Sequence, residues 1–124
     1  MSLSDCNVLI VDDIEENVRI LSEILETQGI QTRATTSPKM ALQSAKASPP
    51  DLVLLDVRMP EMDGFTVCQE LKSFPATASV PVIFISGSVD SVDRDRGAEV
   101  GGVDYINKPF RLKDVIDRVT AHLV

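Results

Sequence analysis

Short apolar runs alternate along the chain with longer segments in which apolar residues recur every three or four positions. The runs end in turn residues, which is typical of buried parallel strands. The longer segments have the spacing of amphipathic helices, and glycine or proline follows most of them. Strand and helix alternate five times in this way. The predicted strands are 7–11, 30–34, 52–56, 80–85 and 103–106.

Local signals predict where the helices begin and end. Gly29 stops the first helix. Ser37 supplies an N-cap for the second, with Pro38 in the first helical position, and the Pro49-Pro50 pair ends that helix near residue 47. The apolar stripes of the first, third and fifth helices are Ile14, Val18, Leu21 and Leu25; Phe65, Cys68 and Leu71; and Leu112, Val115, Ile116, Val119 and Leu123.

The fourth helix differs from the others because it has almost no apolar stripe. Asp90 and Ser91 can cap it, and Gly101-Gly102 ends it. We expect this helix to have a polar surface and to be the least firmly packed of the five. The charged residues that give it this polar surface are Asp93, Arg94, Asp95 and Arg96.

Five successive strand–helix pairs predict an α/β fold, a doubly wound five-stranded parallel sheet with five helices on its two faces and right-handed crossovers. Strands one, three and four are the most apolar and should be central, whereas strand two should lie at an edge. The chain shows no internal repeat and no linker, and 124 residues correspond to one domain.

The composition is that of a globular protein, with 44% hydrophobic and 25% charged residues. No apolar run reaches the roughly 18 to 20 residues of a membrane helix, and the N-terminus lacks the features of a signal peptide. We therefore expect a cytoplasmic protein that does not enter a membrane. A net charge of −7 argues against direct binding of nucleic acid. Cys6 and Cys68 lack the spacing of a metal site, and we expect both to be reduced structural residues.

The strand ends carry the candidate chemistry of this chain. In a doubly wound sheet the carboxyl ends of all strands face the same side, which is where ligands bind. Polar residues that are scattered in sequence should therefore converge at this one edge. They are Asp12 and Asp13 after strand one, Asp56 at the end of strand three, Ser86 after strand four and Lys108 after strand five.

Three carboxylates in one place repel one another, and a hard divalent cation relieves the repulsion. Oxygen ligands suit magnesium, or manganese, while a single histidine and no cysteine cluster give no basis for zinc. Acids that hold a metal beside a lysine and a hydroxyl are suited to phosphoryl transfer, in which one acid can be the nucleophile. Asp56 is the best candidate, since it stands alone after the most buried strand. Lys108 and Ser86 would contact the phosphoryl oxygens.

Four motifs occur in order along the whole chain: Asp-Asp after strand one, Asp-x-x-Met-Pro-x-Met-Asp-Gly after strand three, Ser before a small residue after strand four, and Lys-Pro-Phe after strand five. In these motifs and their spacings the chain resembles the receiver domains of two-component response regulators. The resemblance implies the flavodoxin-like strand order 2-1-3-4-5. It also implies that residues 1–124 form a single receiver domain, which is either a stand-alone regulator or a part of a longer protein.

By the same resemblance Asp56 is the phosphoacceptor, and Asp12 and Asp13 hold Mg2+ together with Asp56 and the backbone carbonyl of Arg58. Lys108 and Ser86 contact the phosphoryl group, and the peptide bond between Lys108 and the proline after it is cis. The donor is a phosphohistidine on a histidine kinase or a His-phosphotransfer domain. The phosphorylated domain then acts on an output domain or a target protein, and it turns over no external substrate.

The resemblance also implies switch or modulating roles for four positions. Ser86 and Tyr105 form the switch that changes the surface of helix four, strand five and helix five, which is also a candidate homodimer surface. Arg58 and Ser88 follow the phosphoacceptor and the switch hydroxyl by two residues and border the phosphoryl group. We hypothesise that the charge of Arg58 alters the lifetime of the phosphorylated state.

Three alternatives compete with a phosphoacceptor switch. An aspartate-nucleophile, magnesium-dependent phosphatase of the haloacid dehalogenase kind would have a second acid where Arg58 stands, and a larger body. A flavodoxin-like nucleotide binder would have a Ser/Thr/Gly loop after strand one, where the acidic segment 12–16 repels phosphate. A degenerate receiver that acts as an interaction module is disfavoured, because every functional position is filled.

Overall fold

The computed structural model of the chain describes residues 3–87 and 91–123. A short 3-10 helix (Leu3–Asp5) precedes the first strand. The strands are β1 (Asn7–Val11), β2 (Gln31–Thr35), β3 (Leu52–Asp56), β4 (Val82–Ser86) and β5 (Asp104–Asn107). The helices are α1 (Glu15–Glu26), α2 (Pro38–Ala47), α3 (Gly64–Ser73), α4 (Ser91–Glu99) and α5 (Leu112–Leu123).

All strand pairs of the sheet are parallel, and the strand order is β2-β1-β3-β4-β5. The predicted doubly wound α/β fold and its strand order are therefore confirmed, with β1, β3 and β4 central and β2 at an edge. β4 begins two residues later than predicted, because Pro81 has no N–H to give to a ladder. β2 and β5 are each displaced by one residue from the predicted ranges.

The helices cover the two faces of the sheet and leave a separate apolar layer on each side. The layer under α1 and α5 includes Leu21, Leu25, Val115 and Val119, all fully buried. The layer under α2 and α3 centres on Phe65, whose ring meets that of Phe84 on β4 edge to face at 5.1 Å between centroids.

Two residues assigned to the apolar stripes from the sequence do not belong to them. Ile14 is the N-cap residue of α1 and is 49% exposed, and Leu112 is the first residue of α5 and is 57% exposed. Each stands at the helix end that leads to the carboxyl edge of the sheet, so neither side chain faces an apolar layer. The cap predicted at Ser37 is confirmed, because its hydroxyl accepts a hydrogen bond from the Met40 N–H.

α4 is held by polar contacts rather than by an apolar stripe, as its sequence predicts. Among its described side chains, Asp93 and Gly97 are the buried positions. The expectation that Asp93 lies on the polar surface is wrong, because the residue is buried, one helical turn from Gly97. The cap predicted at Asp90 lies outside the described residues.

Both cysteines are buried and free, which agrees with a structural role. The Cys68 thiol donates a hydrogen bond to the Val100 carbonyl at 3.3 Å, just after α4. Burial raises the pKa of this thiol to about 11, so it is not a nucleophile at neutral pH. None of the described helices is both long enough and apolar enough to cross a membrane.

Candidate functional site

Three acidic residues meet at the carboxyl edge of the sheet. β1 and β3 are paired in register, Val11 opposite Leu55, so the residues that follow them reach the edge side by side. Asp12, Asp13 and Asp56 each place a carboxylate oxygen within 4.8 Å of the other two. The parallel pairing alone brings together residues that are more than 40 positions apart in the chain.

Asp12 is the most buried of the three acids, with 0% exposure. One of its carboxylate oxygens, Oδ1, accepts a hydrogen bond from the Ile14 N–H at 2.9 Å. The other, Oδ2, is buried and makes no hydrogen bond to the residues that the structure describes. A buried carboxylate oxygen in this state is costly, and a bound cation would satisfy it.

Lys108 supplies the positive charge of the site. Its Nζ lies 3.3 Å from Asp56 Oδ1 and 3.4 Å from Asp12 Oδ2. β5 fixes this position, because the Lys108 N–H donates to the Ser86 carbonyl at 3.0 Å. The peptide bond between Lys108 and Pro109 is cis, as the resemblance implied. One ammonium group therefore faces two carboxylates of the pocket.

The electrostatics of the site act mainly on Asp56, which is 2% exposed. Burial, together with the charge of Asp12, raises the pKa of Asp56 to about 6, although Lys108 opposes the shift. The surroundings of Asp56 therefore disfavour its ionised form relative to water. A second cation would lower this pKa and make the carboxylate fully available at neutral pH.

The acidic pocket fits a magnesium ion. The three carboxylates each place an oxygen within 4.8 Å of the other two, so one ion could bind all three. Asp12 Oδ2 has the Lys108 ammonium at 3.4 Å but no hydrogen bond to the described residues, so it could bind the ion. Asp13 is exposed and can turn toward the ion. All the donors are hard oxygen atoms, which Mg2+ and Mn2+ prefer.

Ser86 and Gly64 lie near Asp56 at the same end of the sheet. Ser86 ends β4 and is 3% exposed. Gly64 begins α3, and its N–H donates to the Val57 carbonyl at 2.9 Å. A Cβ at Gly64 would lie 2.2 Å from the Asp56 carbonyl oxygen, so only glycine lets α3 start this close to the end of β3. Ser88, also predicted to border the site, lies outside the described residues.

Among the described residues, Arg58 and Tyr105 make polar contacts with Asp93 of α4 and not with the three acids of the pocket. The guanidinium of Arg58 pairs with the Asp93 carboxylate at 3.0 Å. Its predicted place beside the phosphoryl group stays a prediction. Tyr105 is half-buried, as expected, and its hydroxyl donates to the Asp93 carbonyl. The same hydroxyl occupies the space over Gly97, where a Cβ would lie only 2.1 Å away.

Asp93 and Gly97 are thus neighbours of the site that the sequence analysis missed. Both lie in a segment whose charged residues suggested a solvated face. Their spacing of four positions, which puts them on one side of a helix, was the available signal. A glycine inside a predicted helix was a second signal, because it often marks a place where another side chain packs closely against the helix.

A parallel sheet of order 2-1-3-4-5 defines the flavodoxin-like fold, and here its carboxyl edge carries three acids and a lysine. The sequence profile of the family described as "Response regulator receiver domain" matches residues 8–120. The chain belongs to this family, the receiver domains of two-component response regulators.

Similar proteins carry this domain in longer chains. A Vibrio cholerae protein named "Probable cyclic di-GMP phosphodiesterase" is 42% identical over 98% of this chain and 27% of that protein. The DNA-binding response regulator MtrA of Mycobacterium tuberculosis is 37% identical over 94% of this chain and 50% of that protein. The chain therefore spans between about a quarter and a half of these curated relatives.

A solved structure shows the same fold at comparable similarity. The signal receiver domain of a signal transduction histidine kinase from Syntrophus aciditrophicus superposes with a TM-score of 0.86 at 35% identity, covering 95% of this chain and 89% of that one. The named proteins that contain this domain thus differ in function, from a probable phosphodiesterase to a DNA-binding regulator and a histidine kinase.

Proposed function

We propose that Asp56 is the phosphoacceptor of this receiver domain and that it takes a phosphoryl group from a phosphohistidine of a histidine kinase or His-phosphotransfer domain. The observation that carries the proposal is the position of the Asp56 carboxylate, within 4.8 Å of two further acids and 3.3 Å from Lys108. In the transfer an Asp56 oxygen forms a bond to phosphorus, the phosphorus–nitrogen bond to the donor breaks, and the imidazole leaves with a proton.

The residues around Asp56 divide the remaining work. Asp12, Asp13 and Asp56 would hold Mg2+, together with the backbone carbonyl of Arg58. The bound ion supplies neutralisation of the phosphoryl oxygens and of the acids. Lys108 is placed to pair with one phosphoryl oxygen, and the Ser86 hydroxyl to donate to another. Tyr105, whose ring lies 5.4 Å from that of Phe84 on the strand that ends at Ser86, would transmit the change to α4 and β5.

The same proposal covers the partners of the domain. The domain promotes its own phosphorylation and dephosphorylation and turns over no external substrate. It works in the cytoplasm. Its phosphorylated form acts on an output domain or target protein, or forms a homodimer, through the surface of α4, β5 and α5. The domain itself does not bind nucleic acid, since its charge is −7. An output domain in the same polypeptide would carry the final activity, as different as the phosphodiesterase and DNA-binding functions for which the relatives are named.

The experiment is intact-mass measurement after incubation with acetyl phosphate, with and without Mg2+. We expect a gain of one phosphoryl group that requires the metal and is absent in Asp56→Asn. Asp51→Asn is the matched control, because Asp51 precedes the same strand at its opposite end, where its carboxylate accepts from the Asn7 N–H. An unchanged mass under every condition would contradict the proposal and favour an interaction module, while label retained in Asp56→Asn would move the site to another acid.

A further inference from the structure

We propose that Arg58 is a cation shared between two anions: it pairs with Asp93 of α4 while Asp56 is unmodified, and it moves to the phosphoryl group once Asp56 carries one. The inference rests on the proposed role of Asp56. It assigns Arg58 as a positioning residue that connects the pocket to α4. Phosphorylation of Asp56 would thereby break the Arg58–Asp93 ion pair, one of the contacts that hold α4 in place.

Arg58 is close to Asp56 along the chain and to Asp93 in space. Its backbone lies two residues beyond Asp56, and its guanidinium reaches Asp93, which lies 35 positions further along the chain, at 3.0 Å. The side chain of Arg58 is 70% exposed, whereas that of Asp93 is 13% exposed. The cation can therefore swing through water without being desolvated, and the buried carboxylate stays in place.

Charge decides which anion holds the guanidinium. Asp93 offers a single negative charge, and water weakens its pair with Arg58, because the arginine side chain is 70% exposed. A phosphoryl group on Asp56 carries up to two charges and three acceptor oxygens, and arginine binds such groups with paired hydrogen bonds. Lys108 and a bound Mg2+ would balance the three carboxylates of the pocket, so the charge added by the phosphoryl group can attract a further cation.

α4 keeps other contacts when the Arg58–Asp93 pair opens. Arg96 of α4 lies 3.6 Å from the Asp63 carboxylate and over the ring of Phe65 at 4.8 Å. The Tyr105 hydroxyl still bonds the Asp93 carbonyl. The proposed exchange therefore loosens the first turns of α4 and does not detach the helix.

The test measures the affinity for beryllofluoride, a stand-in for the phosphoryl group, by calorimetry at saturating Mg2+. If the cation is shared, the two partners of one ion pair act in opposite directions. Arg58→Met should weaken binding about two- to fivefold, because the phosphoryl analogue loses a cation. Asp93→Asn should tighten binding by a similar factor, because Arg58 is set free. In the Arg58→Met background, Asp93→Asn should change nothing.

A merely structural ion pair gives a different result, since the loss of either partner would shift the affinity the same way. Equal directions, or a full Asp93→Asn effect without Arg58, would overturn the inference. Arg19→Met is the control for loss of a cation, because Arg19 forms a similarly exposed pair with Glu23 on α1.

Hydrogen exchange provides a second readout that does not depend on affinity. Beryllofluoride should speed the exchange of the amides of residues 93–96 in the wild type and leave them unchanged in Arg58→Met. Slower exchange in both proteins would contradict the shared cation. Wild-type protein that binds no beryllofluoride, or Asp56→Asn that binds it equally well, would overturn the proposed function and the inference together, so the two failures are distinguishable.

Discussion

Lys108 Nζ lies 3.3 Å from Asp56 Oδ1, yet the pKa of Asp56 is raised to about 6. A lysine this close would by itself lower the pKa of a carboxyl group. Burial and the charge of Asp12 outweigh it, because Lys108 is shared between two acids and stands 3.4 Å from the second. The pocket of the metal-free domain is therefore short of positive charge.

This shortage predicts how stability depends on pH. The pKa of Asp56 is about 6 in the folded domain and near the model-peptide value of 3.8 in the unfolded chain, so the folded form binds more protons between these values. The free energy of unfolding should fall as pH rises from about 4 to about 6. Asp56→Asn removes the ionisation, and without metal it should stabilise the domain by about 3 kcal/mol at pH 7 and by little at pH 4.

Urea unfolding of wild type and Asp56→Asn across this pH range measures the difference directly. Asp117→Asn serves as the control, because Asp117 is an exposed acid on α5 that pairs with Lys113. Its effect on stability should be within about 0.5 kcal/mol at either pH. A mutant gain that is as large at pH 4 as at pH 7 would show that repulsion in the pocket is not its source.

Magnesium should stabilise the domain through the same acids. A ligand that binds only the folded state adds about 1.4 kcal/mol to the free energy of unfolding at ten times its Kd. The gain should shrink below about pH 5, since protons compete for the carboxylates. We expect Asp12→Ala and Asp13→Ala each to remove most of the gain in thermal denaturation with Mg2+. An equal gain in these variants, or with sodium at matched ionic strength, would argue for a nonspecific salt effect.

Gly97 predicts a packing constraint behind the site. A Cβ there would lie 2.1 Å from the Tyr105 hydroxyl and 3.2 Å from the Phe84 ring. Gly97→Ala should destabilise the domain by about 1–3 kcal/mol, although alanine is the better helix former. Tyr105→Leu in the same background should recover part of the loss, because it removes the clashing hydroxyl.

Chemical denaturation of the single and double variants tests this constraint. Gly87→Ala is the matched control, since the nearest atom to its added Cβ is 3.9 Å away. No recovery in the Gly97→Ala/Tyr105→Leu protein would mean that the Phe84 ring or the helix backbone, rather than Tyr105, sets the cost.

The sequence by itself determined the sheet and the membership of the acidic pocket. Apolar runs such as Leu52–Asp56 can be buried on both faces only in a covered parallel sheet, and the carboxyl ends of parallel strands meet at one edge. The convergence of Asp12 and Asp56 therefore follows from topology, whatever the details of packing. The same pattern located β1 and β3 without error.

Only the tertiary structure decided what surrounds α4. The sequence of α4 specifies the position of this helix only weakly, because it lacks an apolar stripe that would fix one face toward the sheet. The burial of Asp93, the direction of the Arg58 side chain and the fit of Tyr105 over Gly97 depend on where this helix comes to rest. Such contacts join distant segments through long polar side chains, whose direction is set by the available partner and not by a periodic pattern.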